Sequence, residues 1–153
     1  MKTATLAIIV QGDWVLLGRK KTGEIGSQTF NGPGGKCEEG ESPIDCIIRE
    51  TKEEMGIKLD PRHLEKVAVI TFYFAEVPAF EVHVFRTDVW SGTPSETKEM
   101  SPVWYRTNAL PLSQMLESDR EWFFKAVKGE KFRANVYYKE KAANLEKIEF
   151  FPF

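Results

Sequence analysis

The chain has 153 residues, of which 42% are hydrophobic and 29% are charged, a composition typical of a globular domain. This length is enough for one domain with its own core, over residues 1–153, and too short for two. The formal net charge of -2 gives no electrostatic reason to expect nucleic acid or an anionic membrane as a partner.

The first residues favour a β-strand over a targeting segment. The apolar run within residues 1–13 is too short to cross a membrane and lacks a small-residue cleavage site. The two cysteines, Cys37 and Cys46, have no Cys or His neighbours at metal-ligand spacing. We therefore interpret both as reduced thiols and expect a cytoplasmic protein.

The N-terminal quarter of the chain predicts two strands and a glycine-rich loop. Apolar and β-branched runs at residues 3–10 and 14–19 flank Gln-Gly-Asp, which predicts a hairpin. Residues 20–35 are rich in Gly, Thr, Ser and Asn and predict a loop. Its last five residues, NGPGG from Asn31 to Gly35, predict a turn whose main-chain groups can approach a ligand closely.

A helix is predicted over residues 43–55. Ser42 is a suitable N-cap, and Pro43 suits the first helical position because its missing N–H would be unpaired there. Gly56 is suited to a left-handed C-terminal cap. These three residues set the boundaries of the helix independently of its interior.

The helix has two different faces. The residues expected to face the core are Ile44, Ile48, Thr51 and Met55. The opposite face carries Glu50, Glu53 and Glu54. Neighbouring glutamates on a helix repel by roughly 0.2–0.5 kcal/mol per pair, and the helix dipole disfavours anions in the last turn. The pattern is compatible with a solvated acidic face, but it also indicates a bound counter-ion, for which a divalent metal is the first candidate.

The middle of the chain predicts mostly strands. Residues 64–74 and 80–90 are rich in Val, Phe and Tyr and predict an antiparallel hairpin across residues 75–79. Residues 91–102 predict a polar loop, which carries Glu96 and Glu99. A short strand is expected at 103–106.

A second helix and a last pair of strands complete the prediction. Ser118 to Glu121 form a capping-box signature that opens a helix, which Gly129 ends. Residues 131–139 and 145–151 alternate enough to predict two strands. Since strands outnumber helices and hairpins dominate, we expect an α/β fold with a mixed sheet flanked by helices.

One stretch, residues 34–57, combines the glycine turn with the acidic helix. Its polar and glycine residues at fixed spacing are Gly35, Glu41, Arg49, Glu50, Glu53, Glu54 and Gly56. This pattern resembles the signature of the Nudix hydrolase family. The one departure is Thr51, where an aliphatic residue is usual.

The resemblance implies a fold and a chemistry. The fold is a mixed sheet sandwiched between helices, and the reaction is hydrolysis of a nucleoside diphosphate linked to another moiety, with Mg²⁺ or Mn²⁺. The implied metal ligands are Glu50, Glu53, Glu54, Glu99 and the main-chain carbonyl of Gly34. Glu53 or Glu99 is implied as the base that takes a proton from the attacking water. Lys36 is expected to contact phosphate, and Glu41 and Arg49 to hold loop and helix together.

A closer resemblance, over most of the chain, is to the 8-oxo-dGTP diphosphatases, which act on oxidised purine nucleotides. In those enzymes a loop Asn, a strand Phe and an aspartate pair after a tryptophan form the base pocket. Asn31, Phe72 and Asp119 match this pattern. Leu116 stands in place of the tryptophan and Ser118 in place of the first aspartate. Catalysis is therefore better supported than the identity of the base.

The sequence thus predicts a monomeric, Mg²⁺-dependent enzyme that converts a nucleoside triphosphate to the monophosphate and pyrophosphate. An oxidised purine nucleotide such as 8-oxo-dGTP is the favoured substrate. One alternative keeps the chemistry but changes the substrate to a pyrimidine triphosphate, ADP-ribose or a dinucleoside polyphosphate. Another is a module that binds nucleotides without cutting them, and the intact set of glutamates argues against it.

Overall fold

The computed structural model describes residues 1–23 and 27–153. Within these ranges, nine strands form one sheet and two short strands form another. In chain order, the strands are β1 (Lys2–Gln11), β2 (Trp14–Lys20), β3 (Phe30–Asn31), β4 (Gly34–Lys36), β5 (Lys58–Leu59), β6 (Glu65–Phe74), β7 (Val77–Thr87), β8 (Trp90–Ser91), β9 (Met100–Arg106), β10 (Phe132–Glu140) and β11 (Ala143–Phe151). The α-helices are α1 (Pro43–Met55) and α2 (Asp119–Val127), and short 3-10 helices lie at Pro61–His63 and Leu112–Gln114.

The large sheet is mixed. Its order is β11-β10-β6-β7-β1-β2-β3, with β4 also paired to β1 and β9 to β2. The pairs β1–β7 and β6–β10 are parallel, and the other pairs are antiparallel. Strands β5 and β8 form the small sheet.

The core has two layers because β1 is buried on both faces. Side chains of successive residues in a strand point to opposite sides of the sheet. Leu6 and Ile8 pack in one cluster with Trp122 of α2, whereas Ile9 packs in a second cluster with Ile47 of α1. The predicted fold class, a mixed sheet sandwiched between helices, is therefore confirmed. Neither α-helix of the described ranges has the length and apolar character needed to cross a membrane.

The first helix has the predicted boundaries. The Ser42 hydroxyl accepts a hydrogen bond from the Asp45 N–H at 3.2 Å, and Pro43 is the first helical residue. Gly56 has a φ of 74° and donates its N–H to the Lys52 carbonyl. The local capping chemistry was therefore sufficient to define both ends.

The predicted core stripe of α1 was partly wrong. Thr51 and Met55 are buried, but Ile44 is 38% exposed. Cys46 and Ile47 are fully buried instead, and Glu54 is only 5% exposed although it was predicted on the polar face. The buried face is thus rotated toward Glu54 relative to the prediction, and the Glu54 carboxylate has a main-chain hydrogen-bond partner on β4, as described below.

Short strands occupy part of the predicted loop at 20–35. Residues 30–31 form β3 and residues 34–36 form β4, while residues 24–26 of that loop lie outside the described residues. The hairpin between β6 and β7 is also tighter than predicted. Ala75 and Glu76 have φ values of 48° and 70°, which a two-residue turn of type I′ requires. Strand β7 therefore begins at Val77, three residues earlier than predicted.

The capping box predicted at the start of α2 is absent. Ser118 has helical backbone angles, φ -66° and ψ -29°, and its side chain makes no capping hydrogen bond. Its hydroxyl oxygen instead accepts a hydrogen bond from the Tyr138 hydroxyl at 2.7 Å. The Ser118 hydroxyl is therefore bonded to Tyr138 of β10 and not to the first turn of α2. The helix still ends before Gly129, whose φ is 81°.

Candidate active site

The glycine turn is joined to the acidic helix by a short main-chain contact. Strand β4 pairs with β1, which places Gly34 opposite Leu6. The Gly34 N–H donates a hydrogen bond to Glu54 Oε1 at 2.7 Å. A Cβ atom at Gly34 would lie 2.0 Å from the Thr5 carbonyl oxygen, so only glycine fits here. This glycine therefore allows the turn to lie directly against β1, while its N–H holds Glu54 of α1.

Three of the predicted glutamates form one cluster. Carboxylate oxygens of Glu50, Glu53 and Glu99 all lie within 4.8 Å of one another. Glu50 and Glu53 project from α1, and Glu99 precedes β9. The other loop glutamate, Glu96, is instead paired with Lys21. The structure thus brings Glu99, and not Glu96, to the helix glutamates.

The two more buried glutamates of the site, Glu54 and Glu50, are in surroundings that disfavour negative charge. Burial, and after it the nearby charges of Glu50 and Glu99, raise the pKa of Glu54 to about 8, although the Gly34 N–H opposes the shift. Burial also raises the pKa of Glu50, whereas Arg49 opposes that rise. A bound cation would stabilise the ionised carboxylates. The donor set consists of hard oxygen atoms, the ligands that Mg²⁺ and Mn²⁺ prefer, so these residues fit such an ion.

Arg49 connects the helix to the segment before it. Its guanidinium donates two hydrogen bonds to the Glu41 carboxylate, at 2.8 and 2.9 Å, and holds the pKa of Glu41 at about 2. It also donates to Glu50 at 2.9 Å and to the Lys36 carbonyl at 3.2 Å. Contacts to Glu53 are longer, at 3.3 and 3.4 Å. These contacts connect the segment before the helix to α1 through Arg49 and Glu41.

One cavity of about 440 Å³ contains both the acidic residues and an apolar end. This volume is ordinary for a small-molecule site. Glu50, Glu54 and Glu99 lie on its wall. The residues predicted to bind substrate all line it as well: Asn31, Lys36, Phe72, Leu116 and Asp119. Residues far apart in the chain thus meet in a single space.

Asp119 is a buried carboxyl group in this cavity. Its side chain is 1% exposed, and its Oδ2 atom has no hydrogen-bond partner among the described residues. Burial raises the pKa of Asp119 to about 7, against smaller opposing effects from neighbouring polar groups. A carboxyl group with this pKa can donate or accept a hydrogen bond near neutral pH.

Several cavity residues were not predicted. They are Lys20, Phe74, Phe80, Trp122 and Tyr138, among others. The alternation of Phe132, Ala134, Val136 and Tyr138 with more polar residues along β10 was a signal that could have placed Tyr138 on the inner face. The Tyr138 hydroxyl also accepts a hydrogen bond from the Ser118 N–H at 2.9 Å. It therefore holds the main chain immediately before Asp119.

Asp119→Asn is expected to stabilise the protein increasingly as the pH rises from 5 to 8. The pKa of Asp119 is about 7 in the folded state and about 3.9 in an unfolded chain. Between these values the folded state holds a proton that the unfolded state releases, so the free energy of unfolding falls as the pH rises. Asparagine has no charge to bury. The free energy of unfolding of Asp119→Asn should therefore exceed that of the wild type by as much as about 4 kcal/mol. Melting temperatures of both proteins across this pH range measure the difference.

The exposed Asp88→Asn variant is the matched control for this titration. Asp88 is exposed, so its replacement should leave the pH dependence of the melting temperature unchanged. A constant difference between Asp119→Asn and the wild type from pH 5 to 8 would contradict the proposed ionisation of a buried Asp119.

Comparison with known proteins places the chain in a family. The NUDIX domain model matches residues 1–126. The chain is 37% identical over 137 residues to the oxidized purine nucleoside triphosphate hydrolase of Mus musculus, covering 89% of this chain and 86% of that protein. It is 42% identical over 123 residues to the protein of the same name from Danio rerio, covering 80% and 77%. The chain therefore belongs to the Nudix family, whose members generally use a divalent metal ion.

The fold is also shared with a solved structure. The crystal structure of a MutT protein from Bacillus halodurans superimposes with a TM-score of 0.81 at 22% sequence identity. The match covers 98% of this chain and 97% of that protein. At this identity the likeness concerns the arrangement of the sheet and helices, and it agrees with the architecture described above.

Proposed function

We propose that this chain is a Mg²⁺-dependent pyrophosphohydrolase that converts a nucleoside triphosphate to the monophosphate and pyrophosphate. The proposed preferred substrate is an oxidised purine nucleotide such as 8-oxo-dGTP. One observation carries this proposal: a single cavity is lined by Glu50, Glu54 and Glu99 at one part and by apolar side chains and the buried Asp119 carboxyl group at another. The names of the Mus musculus and Danio rerio relatives support the same class of substrate.

The metal would be held by Glu50, Glu53 and Glu99, together with Glu54 and the main-chain carbonyl of Gly34. The proximity of the three carboxylates, within 4.8 Å, supports this assignment. Bound Mg²⁺ offsets the charge of the polyphosphate and polarises the phosphorus centre. Mn²⁺ has the same ligand preferences and is the proposed substitute.

Glu53 is proposed to accept the proton of the attacking water. Its side chain is 47% exposed, so water reaches it without displacing a buried contact. As the proton moves to the carboxylate, the water oxygen bonds to phosphorus and the anhydride bond between the α and β phosphates breaks, which releases the nucleoside monophosphate and pyrophosphate. Arg49 holds the Glu50 carboxylate in place through a hydrogen bond. Lys36 would contact phosphate oxygens.

The other end of the cavity is proposed to hold the base. Phe72 and Leu116 offer apolar surface to a flat purine ring, and Asn31 and Asp119 offer polar atoms to its edge. The family pattern has two aspartates at this edge, but Ser118 is fully buried and bonded to Tyr138. Asp119 is thus left as the carboxyl group that distinguishes one base edge from another.

The substrate proposal is tested by measuring pyrophosphate release with Mg²⁺ from a panel of nucleotides. The panel contains 8-oxo-dGTP, dGTP, a pyrimidine triphosphate, ADP-ribose and a dinucleoside polyphosphate. We expect the highest kcat/KM for 8-oxo-dGTP, because its purine ring fills the apolar end while its phosphates reach the glutamates. A higher kcat/KM for another nucleotide class would overturn the substrate assignment. Nucleotide binding without turnover would identify a sensing module instead.

We also propose that the enzyme works as a cytoplasmic monomer without a nucleic-acid partner. The near-neutral net charge of -2 and two free cysteines support this. Size-exclusion chromatography with light scattering should give the mass of one chain, and the mass of two chains would contradict it.

A further inference from the structure

The two cysteines of the chain lie close together beside the glycine turn. Sγ of Cys37, Sγ of Cys46 and a carboxylate oxygen of Glu41 all lie within 4.8 Å of one another. Cys37 directly follows β4 and is partly buried. Cys46 lies in the first half of α1 and is 0% exposed. The pair therefore bridges the two elements that form the active site.

Both cysteines are attached to well-positioned main chain. The Cys37 N–H donates to the Thr3 carbonyl on β1 at 2.9 Å. The Cys46 thiol donates to the Gly35 carbonyl at 3.6 Å and lies 3.3 Å from the Thr5 hydroxyl. The two sulfur atoms already lie within 4.8 Å of each other, and rotation of either side chain changes their separation.

Metal binding by Cys37, Cys46 and Glu41 is less favourable than a disulfide between the two cysteines. Glu41 already receives two hydrogen bonds from Arg49, at 2.8 and 2.9 Å, and it would have to give up at least part of this pairing to bind a metal. Both sulfurs would also have to ionise. Burial, with the nearby charge of Glu41, raises the pKa of both thiols. A disulfide carries no charge, forms through one ionised thiol at a time rather than two at once, and needs no change at Glu41.

We propose that Cys37 and Cys46 are a redox modification site, which forms an intramolecular disulfide on exposure to a hydroperoxide. The more accessible Cys37 sulfur attacks the peroxide, forming a sulfenic acid and releasing one water. The Cys46 sulfur then attacks the Cys37 sulfur, and the hydroxyl group leaves with a proton as a second water. Two thiols are oxidised by two electrons, and hydrogen peroxide is reduced to two waters.

The disulfide would clamp the segment after β4 to α1. The loop that it closes contains Glu41 and the helix cap at Ser42 and Pro43. Closing a loop restricts the unfolded chain, so the melting temperature should rise. The Thr5 hydroxyl still donates to the Gly35 carbonyl at 3.4 Å, which would keep the turn in place. This inference does not depend on the proposed hydrolase activity.

The test treats the reduced full chain with hydrogen peroxide and measures intact mass, peptide linkage and melting temperature. We expect a mass lower by two hydrogens, one peptide cross-linked between residues 37 and 46, and a higher melting temperature that a dithiol reductant reverses. Formation should be faster at alkaline pH, since more thiolate is then present. Cys37→Ser should abolish the cross-link and the rise in melting temperature. It should also fold like the wild type, because Cys37 is only partly buried.

Other products would overturn the proposal. These are a sulfinic acid on Cys37 beside an unmodified Cys46, a disulfide between two chains, or an oxidised protein with an unchanged melting temperature. A soft metal site is the remaining competitor: stoichiometric protection of both thiols from alkylation by Zn²⁺, with no cross-link under peroxide, would establish it instead. Cross-link mapping on the wild-type chain gives an answer even if Cys46→Ser fails to fold.

Discussion

Glu53→Gln is expected to lower kcat for pyrophosphate release by about 10²–10⁴-fold. Glutamine matches glutamate in size, but its amide cannot take a proton from the attacking water. The fold should be unaffected, because the Glu53 side chain is 47% exposed and its described hydrogen bonds are the long ones from Arg49, at 3.3 and 3.4 Å. Steady-state rates on the best nucleotide of the panel measure the effect.

Two further variants show whether a loss of kcat is specific to Glu53. Glu39→Gln changes an exposed glutamate in the segment between β4 and α1, and it should keep kcat within about twofold of the wild type, as surface substitutions usually do. Glu99→Gln tests the other candidate base. A larger loss for Glu99→Gln than for Glu53→Gln, with Mg²⁺ binding retained, would transfer the role of base to Glu99. Equal rates for Glu53→Gln and wild type on every nucleotide would remove Glu53 from the mechanism.

A measurement of Mg²⁺ binding distinguishes the two possible roles of Glu53, as the base or as a metal ligand. Mg²⁺ that binds the folded state should raise the melting temperature of the wild type. If Glu53 acts chiefly as the base, Glu53→Gln keeps most of this rise while losing its rate. If Glu53 acts chiefly as a ligand, both are lost together.

Features with a local cause were predictable from the sequence. The ends of α1 depend on Ser42, Pro43 and Gly56, whose capping chemistry acts within a few residues. The helix glutamates Glu50, Glu53 and Glu54 were likewise visible as a spacing, whereas their approach to Glu99 rather than to Glu96 depends on the fold. Strands of two or three residues, such as β3 and β4, are too short to show hydrophobic alternation, so the sequence predicts a loop there.

Features that depend on distant partners were not predictable in this way. Glu54 of α1 is buried beside the Gly34 N–H of β4, which donates a hydrogen bond to it. Ser118 looked like an N-cap because its partner, Tyr138, comes from β10. The approach of Cys37 to Cys46 likewise depends on β4 lying against α1. In each case a long-range contact outweighed a weak local preference.

Gly35→Ala is the second substitution with a large expected effect, although it leaves every charged group of the site in place. A Cβ atom at position 35 would lie 2.7 Å from Cδ and one carboxylate oxygen of Glu50, and 2.9 Å from the other. Arg49 holds the same carboxylate at 2.9 Å. The added methyl group must therefore turn Glu50 away from Glu53 and Glu99 or move α1 away from β4.

Displacement of a catalytic group by about 1 Å can reduce the rate by about 10²-fold, and we expect at least this loss of kcat for Gly35→Ala. The Mg²⁺-dependent rise in melting temperature should shrink at the same time, since a proposed ligand has moved. Gly12→Ala is the matched control: it lies at the β1–β2 turn with a φ of 56°, and nothing lies within 4 Å of the added atom. Its strained backbone should lower stability by about 1 kcal/mol without changing kcat. Wild-type kcat in Gly35→Ala would mean that hydrolysis does not require Glu50 at its present position, and that the motif glycine serves only the fold.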